Sequence, residues 1–327
     1  MSADVRKNGT LLRATFILMG VAFGASLLIG RYPLSLSLLL SGDEQALRVF
    51  FTLRVPRSVM ALVAGFGLAI AGGVYQIVFK NALASPDIIG VSSGASVGAA
   101  AAILFLGGSA FATALCAFLG GLAAVFLALL LAGAANQRHL ATFVLSGIAV
   151  NALAQALLML LKLTADPERQ LASIEFWTMG SLAGITASKL PLVICVVAVG
   201  VAGLFLLYRQ IILLSLDADE AKMLGVRVDV LRRGVLILAT LVVGGIVSIT
   251  GLISFIGLLA PHIARLLTKN NRVQTLLLSG TIGATLLLWA DCMARSVNAA
   301  EIPVSILTSL IGAPFLIYLI CKGEKVA

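Results

Sequence analysis

From Ile88 to Gln137 the chain runs for 50 residues without one Asp, Glu, Lys or Arg. A soluble fold must put charge on the outward faces of its elements, and a run of this length has none to put there. A bilayer requires such a run. About 20 apolar residues cross the hydrocarbon as a helix, so this stretch is long enough for two crossings. The whole chain agrees: of 327 residues 60% are apolar and 11% charged, with a mean hydropathy of +1.10. That is the composition of an integral membrane protein. The net charge of +9 raises nucleic acid as a partner. The basic residues, however, stand at the ends of apolar runs rather than beside clustered aromatics, so topology explains them and no nucleic acid is expected. Cys116, Cys195, Cys292 and Cys321 lie singly in apolar segments, without the spacing of a zinc site or a disulfide framework, and read as small buried hydrophobes.

Taken in order, the uncharged intervals predict an all-α polytopic protein of ten transmembrane helices in a single permease domain, 1–327. The spans are 14–30, 58–79, two within 88–137 folded at Gly107-Gly108-Ser109, and 140–161. They continue with 190–208, 234–250, 252–268 shortened or broken around Pro261, 273–290 and 302–321. The first follows a polar, basic start and has no clean cleavage site after it, so it is expected to be retained. Residues 32–57 and 162–189 read as loops, and Lys80–Asp87 as a turn that Pro86 keeps from being helical. Small residues at helical spacing, such as Ala61, Gly65, Ala69, Gly72, Gly94 and Gly98, let helices approach closely and predict a tight bundle. An inverted repeat relating spans two to five with seven to ten is compatible with their opposite directions. With both termini inside, fifteen Lys and Arg, including Arg138, Lys322 and Lys325, fall in the cytoplasm. Eight fall outside: Arg31, Arg48, Arg54, Arg57, Lys162, Arg169, Lys189 and Arg295. The positive-inside rule selects this orientation.

One stretch breaks the apolar pattern. Of the chain's 23 basic and 14 acidic residues, nine fall in the 25 positions Arg209–Arg233, RQIILLSLDADEAKMLGVRVDVLRR. Acids at Asp217, Asp219 and Glu220 precede an apolar set at Ala221, Leu224 and Val226. This order suits a short helix with acids in its first turn and Gly225 as its stop. The plain alternative is a solvated loop; the sharper reading is a docking element on which a soluble motor pushes. No phosphate loop of the form Gly-x-x-x-x-Gly-Lys-Ser/Thr occurs, so ATP is not bound here in the usual way. With His139 and His262 alone a histidine metal centre is not expected. Acids in the predicted spans are confined to Asp291 near the end of the ninth and Glu301 before the tenth, fewer than a proton-driven carrier wants at mid-membrane depth. Polar, uncharged residues remain: Asn151 and Gln155 on one face of the fifth span, and Ser305, Thr308 and Ser309 in the tenth. They serve either to line a path or to bond helices together.

Several stretches together resemble the permease subunits of bacterial ABC importers for ferric siderophores, haem and vitamin B12, of the type II class. They are Arg54-Val55-Pro56-Arg57 with Ala64–Gln76 (AGFGLAIAGGVYQ), Asn81–Gly90 (NALASPDIIG) with Val91–Ala95, and Trp177–Ser181 (WTMGS). Gly251–Arg265 (GLISFIGLLAPHIAR), Ala290–Arg295 (ADCMAR), Glu301–Val304 (EIPV) and Gly312–Phe315 (GAPF) complete the set, which covers most of the chain in order. Ala82 and Ser305 depart from the family's usual Pro and Gly.

The resemblance implies ten helices per subunit, paired with a second permease subunit as a homodimer, two cytosolic ATPase subunits and an extracytoplasmic substrate-binding protein. The setting is the bacterial inner membrane, with both termini cytoplasmic. No cofactor is expected on this chain; ATP and Mg belong to the ATPase. Residues 209–233 become the coupling loop, with Leu216, Asp219, Glu220, Ala221, Met223, Leu224 and Gly225 meeting the motor: charges set register and apolar side chains bury area. Arg54, Arg57 and Arg295 match positions that meet acids of the binding protein, a role guanidinium forks suit; helix-end anchoring is the alternative, and Arg295 can pair with Asp291 one turn back. Thr142 aligns with the cytoplasmic gate, beside Asn151, Gln155, Ser305 and Thr308 along the path. His262 and Arg265 are read as packing residues. The implied cargo is a bulky metal chelate, ferric siderophore first, with haem or vitamin B12 as alternatives and a metal oxyanion not separated from them. The rivals from other classes are an ATP-independent carrier and an intramembrane enzyme. A cysteine at Asp219 is expected to react with a membrane-impermeant maleimide in inside-out vesicles and not in right-side-out ones; the reverse pattern would place the island on the wrong face.

Overall fold

The computed structural model describes residues 2–134, 140–297 and 301–321. Arg138, His139, Lys322 and Lys325, and the last residues of the uncharged run, lie outside them. The described residues form helices joined by turns and short loops, without strands. In order the helices are α1 (Ser2–Leu28), α2 (Leu36–Leu40), α3 (Glu44–Val49), α4 (Val55–Val78) and α5 (Val91–Phe105). Next come α6 (Ala110–Ala134), α7 (Leu140–Thr164), α8 (Gln170–Met179), α9 (Leu190–Leu206) and α10 (Tyr208–Leu213). The last are α11 (Ala218–Met223), α12 (Val228–Thr250), α13 (Ile256–Thr268), α14 (Val273–Ala294) and α15 (Val304–Cys321). Ten of these match the ten expected spans. Seven are long and apolar enough to cross a bilayer alone, while α5, α13 and α15 are shorter.

The differences from the sequence reading have local causes. Residues 32–57 are not a plain loop. Asp43 caps α3 by accepting the Ala46 N–H at 2.7 Å, and a π-helical turn, Phe50–Arg54, joins α3 to α4 without a break. Arg54 and Arg57 therefore sit in helix. Within 162–189, α8 is anchored by a 2.9 Å ion pair from Lys162 to Glu175. The seventh span starts at Val228 rather than Gly234, because charged side chains at a helix start do not break its backbone pattern. Pro261 lies inside a continuous α13; the real interruption is upstream, where Gly251 to Ser254 is not helical and Phe255 takes a left-handed φ of 67°.

The chain forms two compact units, one of Met1–Gly73, Ser181–Cys195 and Ile253–Val326, the other of Val74–Gly180 and Val196–Leu252. In the first, α14 packs against α1, α13 and α15. A Cβ on Gly65 would lie 2.4 Å from the Gly283 carbonyl oxygen, and one on Gly72 would lie 1.7 Å from that of Gly257, so only glycine admits these backbones. In the second, α5 and α6 pack along their length, with α7 and α12 alongside. A Cβ on Gly94 would stand 2.5 Å from the Gly120 oxygen and one on Gly98 2.0 Å from that of Cys116. Ala100, Leu158, Ala165 and Ile174 form a buried cluster under α8. Gly180, at φ 67°, and Gly251, at φ 68°, meet back to back: their Cβ atoms would strike Leu252 O at 1.9 Å and Trp177 O at 2.1 Å. Two motif glycines far apart in sequence are thus required by one contact.

Helix lengths show the repeat. From α4 to α7 they run 24, 15, 25 and 25 residues, and from α12 to α15 they run 23, 13, 22 and 18. In each series the second helix is short and begins after a left-handed residue, Gly90 in one and Phe255 in the other. At 1.5 Å per residue such a helix covers only about 20 Å of a roughly 30 Å hydrocarbon layer, so backbone outside the α-helix makes up the rest. Gly98→Ala is expected to destabilise the detergent-solubilised protein by roughly 1–3 kcal/mol through overpacking. Gly24→Ala, whose Cβ meets nothing within 4 Å, is expected to change it by no more than about 0.5 kcal/mol. Thermal unfolding of the two variants side by side tests the contrast.

Candidate functional site

The polar island begins where α9 ends. Tyr208, Ile211 and Leu214 of α10 and its C-cap are buried. α11 follows, with Asp219 and Glu220 in its first turn as the sequence predicts. It stops at Gly225, whose φ of +80° lets its N–H reach Lys222 O at 2.9 Å while Val226 N–H reaches Ala221 O at 3.1 Å. These bonds close the helix end in a Schellman-type turn. Ala221 is fully buried, fixing one face of α11 against α12. At the end of α11 Met223 is 87% exposed and its C-cap Leu224 61% exposed, and Leu216, ahead of the helix, is also exposed. Asp219 and Lys222 pair at 3.0 Å in solvent. Lys80, at the end of α4, reaches Asp217 at 3.2 Å; such exposed pairs contribute about 0–1 kcal/mol and serve chiefly to orient. Apolar side chains this exposed on a short helix, flanked by charges of both signs, form the pattern of an interface anchor.

The arginines lie in the first unit. Arg57 donates from Nε to Asp291 Oδ1 at 2.8 Å and from Nη1 to both Glu301 oxygens at 2.8 and 3.0 Å. Arg295 stands 3.6 Å from Asp291 Oδ2 and donates from Nη2 to the Ser26 carbonyl at 2.6 Å, to Ser26 Oγ at 2.8 Å and to Cys292 Sγ at 3.3 Å. Ser26 Oγ in turn meets Ser58 Oγ at 2.6 Å. Arg54 donates to the carbonyls of Ile29 and Tyr32. All three arginines and Asp291 are buried, while the Glu301 side chain is 32% exposed. Expected as a docking triad, they have partners supplied by the chain itself in this conformation: α1, α4, α14 and the approach to α15 are tied at one point. A buried carboxylate needs such partners, because taking an ion out of water is costly unless another charge and hydrogen bonds meet it.

The remaining candidates are dispersed. In the second unit, Asn151 is half-buried and Gln155 exposed on α7 one turn apart, with the Asn151 backbone packed against Gly90; Thr142 is half-buried near the start of that helix. In the first, Ser305 Oγ accepts the Ser254 N–H at 3.3 Å, and buried Thr308 donates to Ser305 O at 3.2 Å. His262 packs edge-on to Phe315 with ring centres 6.5 Å apart. The expected pairing of Arg295 with Asp291 is present; the stronger partner of Asp291, Arg57, lies 234 residues away and no local spacing announces it. The available signal was the scarcity of intramembrane acids, which makes each one demand a base. Asp291→Asn is expected to destabilise the protein by about 3–5 kcal/mol and Glu301→Gln by less than about 1 kcal/mol. A double-mutant cycle on Arg57→Gln and Asp291→Asn, read by unfolding in detergent mixtures, should give a coupling above about 1 kcal/mol; additivity would deny the pair.

The profile of the FecCD transport family matches residues 17–322. The molybdate import system permease protein MolB of Haemophilus influenzae is 39% identical over 94% of this chain and 94% of its own. The cobalamin import system permease protein BtuC of Halobacterium salinarum is 38% identical over 86% of this chain and 75% of its own. Other relatives are named for hemin and iron(3+)-hydroxamate import. A solved structure, the inward-facing conformation of an ABC transporter assigned to the metal-chelate type, superposes with a TM-score of 0.89 at 38% identity, over 96% of this chain and 99% of that one. On a ten-helix fold shared with that structure, and with the family's profile spanning nearly its full length, the chain belongs to the FecCD transport family, as a multi-pass permease subunit of an ABC importer.

Proposed function

We propose that residues 209–233 are the coupling element through which a cytosolic ATPase drives this permease. The observation that carries this reading is the exposed pair Met223 and Leu224 at the end of a helix that buried Ala221 anchors to α12. Two ATPase subunits would seat these anchors and Leu216 on a homodimer of the chain, with Asp219 and Glu220 setting register and Gly225 ending the helix. Closure of the ATPases would displace α11 and α12, and alternating access would follow as the helices bearing Asn151, Gln155, Ser305 and Thr308 are re-aimed, with Thr142 at the gate. ATP and Mg stay on the partner. Both termini and the island face the cytoplasm of the inner membrane in this reading, and a binding protein delivers cargo from the opposite side. Arg54, Arg57 and Arg295 would shape that docking face from beneath, with Glu301 the member of the cluster most open to a partner.

For cargo, the uncharged path residues and the SPDIIGVSSGAS stretch at Ser85–Ser96 support a ferric siderophore. A second reading, a metal oxyanion, is favoured by the 39% identity to the molybdate permease over 94% of each chain. Haem and cobalamin remain within the same class of metal-containing solutes. Met223→Asp and Leu224→Asp are expected to cut co-purification of the ATPase by at least about tenfold while leaving the unfolding temperature unchanged. Vesicle uptake of a ferric hydroxamate and of molybdate, with and without the ATPase, then decides cargo and class. Uptake driven by an ion gradient without ATPase would make the chain a secondary carrier.

A further inference from the structure

Because α12 begins at Val228, Arg232 is carried inside its second turn, only 6% exposed. Its guanidinium carbon lies 5.3 Å from the centre of the Phe143 ring, and Phe143 is itself buried in α7. Asp229 Oδ1, one turn back, is 3.9 Å from Nη1, too long for a hydrogen bond. Arg232 Nε is buried without a hydrogen-bond partner among the described residues. A cation buried on these terms leans on the ring face, where a desolvated cation–π contact is at its strongest. Arg233, next in sequence, approaches the end of α6: a Cβ on Gly133 would lie 3.6 Å from its Nη2. At the other end, buried Ala221 and Val228 pack α11 onto the start of α12. The island and the first turns of α12 are therefore one packed piece, and Arg232 is where that piece grips α7.

We propose that Arg232 is a positioning residue that transmits displacement of the island to α7 through its stack on Phe143. It has this role only if the island is the coupling element proposed above. Arg232 is buried, so it is not one of the side chains offered to the ATPase; it acts on the far side of the same piece. A planar guanidinium can slide across a ring face while keeping its attraction, whereas an ammonium is a strongly hydrated point charge without that plane. The contact therefore suits two positions of α12 against α7. Eight and twelve residues further along α7 stand Asn151 and Gln155, so a tilt imposed at Phe143 is felt at the polar face of the same helix.

The test uses the complex of the permease with its ATPase in lipid nanodiscs, with Cys195 and Cys321 replaced by Ser and Gln155 replaced by Cys. Labelling of that cysteine by a methanethiosulfonate reagent is compared without nucleotide and after vanadate trapping with MgATP. The parent is expected to change its labelling rate roughly tenfold between the two states. Phe143→Leu, which keeps bulk and loses the ring, is expected to retain ATPase binding and hydrolysis while the ratio falls to near one. Phe143→Trp, which keeps a ring face, is expected to preserve the ratio. Arg232→Lys keeps the charge without the plane and is expected to reduce the ratio, which covers the case in which Phe143→Leu does not assemble. A ratio unchanged in Phe143→Leu or Arg232→Lys, a loss in Phe143→Trp equal to that in Phe143→Leu, or a parent without a nucleotide-dependent change would each overturn the role of Arg232. Retention of the ATPase by Leu224→Asp would instead remove the coupling reading itself.

Discussion

Hydrocarbon offers no hydrogen bonds, and that single lack arranges this molecule. Every peptide group at membrane depth must find its partner in protein, so the chain is helical wherever it can be, and each interruption is sealed by backbone from elsewhere. Gly251 and Gly180 illustrate the sealing: their main chains touch so closely that each Cβ would fall about 2 Å from a carbonyl oxygen. Gly90 makes a looser approach to the α7 backbone, where a Cβ would stand 3.4 Å from the Asn151 nitrogen. The breaks are placed at matching points of two helix series, before α5 and before α13, which is why both helices are too short to span the bilayer alone.

The same lack makes each buried charge an architectural decision. Asp291 is fully buried, hydrogen-bonded by Arg57 and paired at longer range with Arg295, and around that carboxylate α1, α4, α14 and the approach to α15 are drawn together. Arg232 meets the same problem differently, with an aromatic face beside a carboxylate that stands too far off for a hydrogen bond. One device fixes helices through directed ion pairs; the other holds through a broader, less directional attraction. The first suits a frame and the second a contact that has to shift.

The island divides its labour between buried and exposed residues. Ala221, Ile211 and Leu214 are buried and make the segment part of the protein's own packing. Met223 and Leu224 remain in water, where apolar area has a cost that only a partner can relieve. A coupling element needs both: without the buried face a push would merely bend a loop, and without the exposed one nothing could push.

Hydropathy and charge by themselves determined the membrane class, the ten crossings, the short helix ending at Gly225 and the glycine-mediated packing, because each of these is a property of neighbouring residues: length without charge, acids before an apolar set, small side chains at helical spacing. They did not determine that residues 44–57 are helical, since charged side chains at a helix start look like a loop to any hydropathy reading. Nor did they determine that Arg54, Arg57 and Arg295 are buried. Only the tertiary structure decided that, by bringing Asp291 and Glu301 to Arg57 and Ser26 to Arg295 across more than 230 residues, and by laying Phe143 under Arg232. Partners of that kind are set by how helices pack, and packing is a property of the assembled chain rather than of any stretch within it.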